Sequence, residues 1–265
     1  MKLAILIPVY NERLLLAAAV ERLLGTAVPA DPSGNPMHRV VHLTDDGSTD
    51  GTADVAAALA QLHPGVVFVH RHPVNRGKGA AIATCLSAAL ADNSDVLVIH
   101  DADLEYDPAD HERLLRPIVD GRADAVIGSR FLGETHRVLY FWHYQANRLI
   151  TLACNVFSNL NLSDIECCLK AFTAEAARTL TLEEHGFGIE PELVMKLARL
   201  RLPTELPGGG PSQMTHRRAR IYEVAVSYAG RTYAEGKKIR WTDGVRALVC
   251  ILRYGLRPPV VAERR

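Results

Sequence analysis

Along the first half of the chain, short apolar runs bounded by polar turns alternate with Ala- and Leu-rich stretches of helical period. Leu3-Ala4-Ile5-Leu6-Ile7-Pro8 is continuously apolar, as in a strand covered on both faces, and residues 12–24 place Leu14, Leu15, Ala18 and Leu23 at helical spacing. A Pro/Gly-rich connector, residues 29–36, leads to the strand Val40-Val41-His42-Leu43 and an Ala-rich helix that ends at Leu62. Residues 66–69 form a third strand, followed by a helix to Leu90. Asp95-Val96-Leu97-Val98-Ile99 is the fourth, followed by a helix over 109–119 and a fifth strand over 123–127. Repeated βα units predict an α/β fold: a doubly wound, mainly parallel sheet with helices on both faces and right-handed crossovers. Ligands of such sheets sit at the carboxyl ends of the strands, so the loops leaving them are the places to look for chemistry.

Composition narrows the class. The 265 residues are 48% hydrophobic, enough for a core in one large or two unequal domains. Lys plus Arg and Asp plus Glu number 30 each, so no overall field attracts nucleic acid or a membrane. The balance is local, because from residue 215 onward twelve Lys or Arg stand against four Asp or Glu. Five cysteines without zinc spacing, and no signal peptide in front, fit a reducing cytoplasm better than a disulfide framework. No apolar run reaches the length of a membrane span.

Four strand-end loops carry candidate chemistry. His100-Asp101-Ala102-Asp103 leaves the fourth strand with two aspartates one residue apart, a pattern that suits a hard cation such as Mg²⁺ or Mn²⁺ also holding phosphate oxygens, or an ordinary solvated turn. Pro8-Val9-Tyr10-Asn11-Glu12 puts a ring and a carboxylate where a base and a ribose could sit, or is a Pro-ended strand with a helix-capping Asn11. Asp45-Asp46-Gly47-Ser48-Thr49-Asp50 offers an acidic pair to a base edge; a turn with an N-cap accounts for Asp50 but not for Asp45. In Asn75-Arg76-Gly77-Lys78-Gly79 the choice is between phosphate or ribose contact, without P-loop spacing, and two glycines that only allow a tight turn into a helix.

Taken in order, Pro8-Val9-Tyr10-Asn11-Glu12, Asp45-Asp46-Gly47-Ser48-Thr49-Asp50-Gly51-Thr52, Asn75-Arg76-Gly77-Lys78-Gly79, Asp101-Ala102-Asp103 and Gly128-Ser129-Arg130 resemble the family 2 glycosyltransferases. Within that family the chain is similar to the dolichyl- or polyprenyl-phosphate sugar synthases over residues 3–254. The resemblance implies a GT-A fold, a nucleotide-sugar donor such as GDP-mannose or UDP-glucose, a divalent cation and inversion at the anomeric carbon. Carried over position by position, Pro8, Tyr10, Glu12 and Asp45 line the base and ribose, with Asp46 a weaker candidate. Asp101 and Asp103, flanking Ala102, hold the metal and the donor diphosphate. Arg231 and Lys238 close over the diphosphates. A leaving nucleoside diphosphate develops negative charge, which a bridging cation stabilises.

The second half should carry acceptor identity. Residues 138–160 are apolar and aromatic but interrupted by His143, Gln145, Asn147, Arg148 and Asn155, too polar to span a bilayer. They predict either an amphipathic helix at an interface, with Arg148 facing lipid phosphate, or a helix that packs on the sheet. Asp164-Ile165-Glu166-Cys167-Cys168-Leu169-Lys170 falls where the resembled enzymes carry Asp, two variable residues, then Thr-Cys-Tyr-Lys or Ser-Gly-Phe-Lys; Asp164 and Lys170 match, while Cys167 and Leu169 depart. Glu190 could meet sugar hydroxyls, and Glu192 reads as dipole stabilisation at a helix start. Residues 202–220, rich in Pro and Gly, predict a mobile loop, and residues 221–228 alternate like a strand.

An acceptor hydroxyl needs a carboxylate base, for which Asp164 and Glu190 are candidates. A lipid monophosphate, with a second ionisation near pH ~6, needs cations instead. Arg130, Arg148 and Arg231 could screen the two anionic groups, and the basic C-terminal part could hold an anionic membrane at about 1 kcal/mol per charge. The expectation is therefore an inverting, metal-dependent transferase moving mannose or glucose from a GDP- or UDP-sugar to a polyprenyl phosphate, peripheral on the cytoplasmic face of the membrane. Residues 1–135 would bind the donor and residues 136–265 the acceptor within one continuous domain. The alternatives are the same donor half with a soluble or glycan hydroxyl acceptor, and a nucleotide-sugar-binding module without turnover.

Overall fold

Strands β1 (Lys2–Val9), β2 (His38–Asp45), β3 (Val67–Arg71) and β4 (Val96–Ile99) pair in parallel in the order β3-β2-β1-β4. The computed structural model describes residues 1–133, 137–138, 140–205, 214–231 and 241–262. Leu3, Ala4, Ile5 and Leu6 are fully buried, as expected for a strand packed on both faces. Helices α1 (Leu16–Gly25), α2 (Thr52–Leu62) and α3 (Lys78–Ala91) follow the first three strands. The first helix starts later than its sequence period predicts. Asn11 does not cap it: at φ +50 its backbone N–H donates to Ser48 Oγ (2.9 Å) and its Oδ1 accepts from the Thr49 N–H (2.9 Å), which ties the loop after β1 to the loop after β2.

Beyond β4 the sheet continues with strands from both halves of the chain. After α4 (His111–Val119) come β5 (Ala125–Ser129), α5 (Phe141–Ser158) and β6 (Lys170–Thr173), and β6 inserts antiparallel between β4 and β5. The outermost strand, β9 (Ile221–Ala225), runs parallel to β5. Helices α6 (Ala174–Thr179) and α7 (Ile189–Arg199) follow β6, and α8 (Trp241–Gly255) packs with α5 and α7 around Cys154, Ile165, Met195, Cys250 and Tyr254. The inner face of α5 is Asn147, Ile150, Thr151, Cys154 and Ser158, at i, i+3, i+4 spacing. Its outer face leaves Phe141, Trp142, Leu149, Leu152 and Val156 exposed, so this helix both packs on the protein and presents an apolar surface.

The loop expected over residues 202–220 is instead largely structured. Strands β7 (Leu200–Glu205) and β8 (Met214–Arg218) form an antiparallel pair, extended by the short β10 (Val260–Val261); residues 206–213 lie outside the described residues. Leu200 and Leu202 are buried, and Asp124, just before β5, accepts hydrogen bonds from Arg217 Nη2 (2.8 Å), the Arg220 backbone N–H (2.6 Å) and Arg220 Nη2 (3.1 Å). Arg217 and Arg220 of this segment are spent on an acid more than ninety positions away.

Candidate active site

The loops leaving β1, β2, β3 and β4 open onto a cavity of about 610 Å³. Pro8, Tyr10 and Glu12 line one end; Asp46, Asn75, Gly77 and Lys78 line the side formed by the start of α3; Asp101, Ala102 and Asp103 lie in the floor. Further lining comes from the chain beyond β5, through Arg130, Glu166, Cys168, Phe187, Glu190, Tyr228 and Arg231.

The loop before α3 owes its shape to Asp46. Its Oδ1 accepts the Arg76 N–H (2.9 Å) and stands 2.6 Å from His72 Nδ1, and its Oδ2 accepts the Gly77 N–H (2.6 Å). His72 Nε2 lies 2.9 Å from Thr84 Oγ1, which anchors the ring to α3. Gly77 has φ +99, and a Cβ there would stand 2.3 Å from His185 O; at Gly79 it would stand 1.9 Å from Glu184 O. The Gly79 N–H donates to His185 O (2.7 Å) and Gly79 does not line the cavity. The amides a phosphate cradle would offer at Gly77 and Gly79 are therefore already used within the protein, and Lys78 is the side chain of that turn that lines the cavity.

Asp45 is fully buried and not part of the cavity wall. Its Oδ1 accepts the Ser48 N–H (3.1 Å), and its Oδ2 makes no hydrogen bond, with Arg71 Nε 3.4 Å away. Lys238 lies outside the described residues.

Charge is unevenly distributed around the cavity. Among the described residues that line it, eight carry carboxyl groups (Glu12, Asp46, Asp101, Asp103, Glu105, Glu166, Glu190 and Asp243) and three are cationic (Lys78, Arg130 and Arg231). Lys78 Nζ is 2.8 Å from Asp101 Oδ2 and 3.1 Å from Glu190 Oε1. Arg231 reaches Asp103 (3.2 Å), Glu105 (3.1 Å) and Glu12 (3.6 Å) at once. Burial alone would raise the Asp101 carboxyl, but the Lys78 ammonium outweighs it and holds the group below the usual carboxylate range. Asp103 goes the other way: burial, then the negative charges of Asp101 and Glu105, push it up to about 7 despite Arg231. Leu104, at φ +61, turns the chain so that the Glu105 N–H donates back to Asp103 Oδ1 (3.1 Å).

This arrangement fits a divalent cation. Among the described residues no three His, Cys, Asp or Glu side chains form a ready-made cage. Asp101 and Asp103 offer hard oxygen donors at the floor, and the crowding that lifts Asp103 is what added positive charge would relieve. Mg²⁺ and Mn²⁺ suit such a pair when substrate phosphate and water supply the remaining oxygens.

The candidate bases of the second half are engaged. Asp164 is fully buried and bidentate with Arg130 (2.7 and 2.8 Å), accepts from Asn147 Nδ2 (3.1 Å), and does not line the cavity. The same pair neutralises Arg130, whose guanidinium lies over the Tyr228 ring at 5.1 Å. Glu190 is held between Lys170 and Lys78. Glu192 lies in the first turn of α7, as its reading at a helix start requires, and its two oxygens also accept the Glu183 and Glu184 N–H groups (2.7 and 2.8 Å) and pair with Lys196. Arg148 is exposed and lies over the Tyr144 ring at 5.7 Å.

Sequence reasoning missed Glu105, Tyr106, Glu166, Phe187, Tyr228 and Asp243 as cavity residues. Glu105 had a signal, the spacing Asp101, Asp103, Glu105. Tyr228 had none, since it arrives by an isolated bridge with Tyr106 across more than a hundred positions and donates to Glu105 Oε2 (2.8 Å).

Comparison with known proteins adds to this geometry. The model of glycosyl transferase family 2 matches residues 4–181. An undecaprenyl-phosphate mannosyltransferase of Micrococcus luteus is 29% identical over 263 residues, 97% of this chain and 95% of its own length. A dolichyl-phosphate beta-glucosyltransferase of Trichomonas vaginalis is 28% identical over 77% of this chain and 64% of its own. Among solved structures, glucosyl-3-phosphoglycerate synthase from Mycobacterium tuberculosis, in complex with Mn²⁺, UDP and glucosyl-3-phosphoglycerate, aligns over 97% of this chain and 81% of that one. Its TM-score is 0.65 at 18% identity, a likeness of fold, GT-A.

Proposed function

The chain belongs to glycosyl transferase family 2 and is a glycosyltransferase, and from that premise we propose that it transfers a hexose from a GDP- or UDP-sugar to a polyprenyl phosphate, with Mg²⁺ or Mn²⁺ as cofactor. One observation carries the proposal: Asp101 and Asp103 converge with Lys78 and Arg231 in a single cavity that also contains Pro8, Tyr10 and Glu12. Tyr10 and Pro8 flank the base, and Glu12 meets the ribose. A divalent cation held by Asp101 and Asp103 would neutralise charge on the departing diphosphate. Lys78 and Arg231, pre-positioned by their carboxylate partners, supply further positive charge where the diphosphate lies.

A phosphate acceptor agrees with the state of the wall. Asp164 is locked to Arg130 and Glu190 lies between two lysines, so both candidate bases have cation partners; a phosphate nucleophile needs neither. The lipid half of the acceptor finds a counterpart in the exposed Phe141, Trp142, Leu149, Leu152 and Val156 of α5, Val249 and Leu252 of α8, and Leu256 just beyond it. Arg246 and Arg253 stand about half exposed on α8. Aromatic and aliphatic residues beside arginines suit the headgroup level of an anionic bilayer, and we place this face at the cytoplasmic membrane surface. Among the described residues no helix is long and apolar enough to cross a membrane. The undecaprenyl-phosphate relative supports the same acceptor class.

Release of GDP or UDP from sugar nucleotides, measured with and without Mn²⁺ and undecaprenyl phosphate, tests the proposal. Release that needs both additions is the expected result. Release with a soluble hydroxyl acceptor in place of the lipid would overturn the acceptor class, and tight donor binding without turnover would overturn the reaction.

A further inference from the structure

Six of the eight acidic residues around the cavity have described side-chain partners. Asp101 has Lys78, Asp103 and Glu105 share Arg231, and Glu190 has two lysines. Glu166 differs. Its Oε1 is buried and has no hydrogen-bond partner, and only its backbone N–H is engaged, with Asp164 Oδ1 (3.2 Å). The nearest cations are spent, Lys170 on Glu190 and Arg130 on Asp164. An unpaired carboxyl in such a place weakens the fold, so packing gives no reason for it.

Its position points to what it meets. Glu166 lines the cavity with Cys168 and Glu190; it leads into β6, which lies on the opposite side of β4 from β1, the strand that ends at Pro8 and Val9. Glu190, whose charge acts on Glu166, is joined to Asp101 through Lys78 Nζ, 3.1 Å from Glu190 Oε1 and 2.8 Å from Asp101 Oδ2. A hexose bonded to a diphosphate at Asp101 and Asp103 is therefore within reach of Glu166. An anionic acceptor would be repelled by one more carboxylate, whereas a polyol supplies hydroxyl donors. Burial, then the charge of Glu190, hold the Glu166 carboxyl up at about 7, so near neutral pH it can donate as well as accept.

We infer that Glu166 is a specificity-determining residue that reads a hydroxyl pair of the hexose carried by the donor. The inference rests on the donor reading above but not on the identity of the acceptor. A site built to hydrogen-bond a hydroxyl discriminates strongly against an analogue that cannot offer it, because a buried polar group is then left unmet.

The test is calorimetric binding with Mn²⁺ present, for the wild type, Glu166→Gln and Glu166→Ala, using UDP, GDP, and the epimer pairs UDP-glucose with UDP-galactose and GDP-mannose with GDP-glucose. The wild type should prefer one member of a pair by about 10- to 100-fold. In Glu166→Ala that preference should fall to within about threefold, with Glu166→Gln intermediate, while the affinity for the free nucleoside diphosphate stays within about twofold. An undiminished epimer preference in Glu166→Ala, or equal weakening of the nucleoside diphosphate and its sugar, would overturn the role of Glu166. Failure of the wild type to retain any sugar nucleotide would overturn the donor reading and this inference together. Intact binding selectivity without transfer to undecaprenyl phosphate supports the inference and removes only the acceptor. Melting curves separate these outcomes from misfolding, since loss of an unpaired carboxyl leaves the melting temperature of Glu166→Ala at or above that of the wild type.

Discussion

Asp124, buried just before β5, and Asp103, partly buried just after β4, are both acids beside the end of a sheet strand, yet their surroundings drive them apart. Burial would raise Asp124, but the side chains of Arg217 and Arg220 and the Arg220 N–H outweigh it and hold it at about 2. Asp103 shares a single arginine with Glu105 and Glu12, faces Asp101, and stands at about 7. Where acids and cations are matched, the pair is a rivet between distant segments; where acids are in excess, the region awaits positive charge from outside. Arg130–Asp164 belongs to the first kind and Glu166 to the second.

Substitutions can break that division, and the largest effect belongs to a rivet. Asp164→Ala leaves the partly buried Arg130 without its partner and should cost about 3 kcal/mol in urea denaturation; an unchanged midpoint would show that the pair holds nothing. Asp103→Ala should lower sugar transfer about 10²- to 10³-fold while leaving the melting temperature near that of the wild type, since Asp103 is at odds with its neighbours. Full turnover in that variant would contradict the metal assignment. Asp124→Asn should cost about 2 kcal/mol at neutral pH, because its arginines are partly exposed and recover water. The sign follows from its depressed folded-state pKa: the contribution is complete above the ordinary carboxylate range and is lost as pH falls toward about 2, so the gap between wild type and Asn variant should close in acid.

Glu166→Gln sharpens the contrast with the smallest and opposite effect. A carboxyl raised to about 7 favours the folded state only while protonated, so wild-type stability should fall as pH rises from the ordinary glutamate range through about 7. The Gln variant, which does not titrate, should melt on the order of 2 °C higher at pH 8, and the difference should vanish near pH 4. Equal melting temperatures at both pH values would show Glu166 to be paired after all.

Much of the fold was legible because β1 to β5 are locally apolar and the loops between them are rich in acids and glycines. The two regions that escaped, β6 and the β7–β8 pair, obtain their partners from afar. Lys170 opens β6 because Glu190 neutralises it, and Arg217 lies in β8 because Asp124 does so. In the site, residue type led to Asp101, Asp103 and Lys78, whose chemistry is written in a short spacing. It ranked Asp45 above Asp46, whereas Asp46 lines the cavity and shapes its loop and Asp45 lies behind the wall; the two share one turn, and type alone does not say which of them faces inward. Nor did it find Glu166, since a carboxyl without a partner becomes visible only when all neighbours are placed.

The close seating of Gly79 on the backbone of Glu184 and His185 sets a practical limit on dissecting this enzyme. The family match ends at residue 181, but Glu184, three positions further, also accepts from Arg246 (2.8 Å) and Tyr254 (3.2 Å) of α8. A recombinant fragment trimmed to the matched span would uncover the first turn of α3 and remove part of the cavity lining, Phe187 and Glu190 included. The smallest piece worth purifying therefore extends through α8.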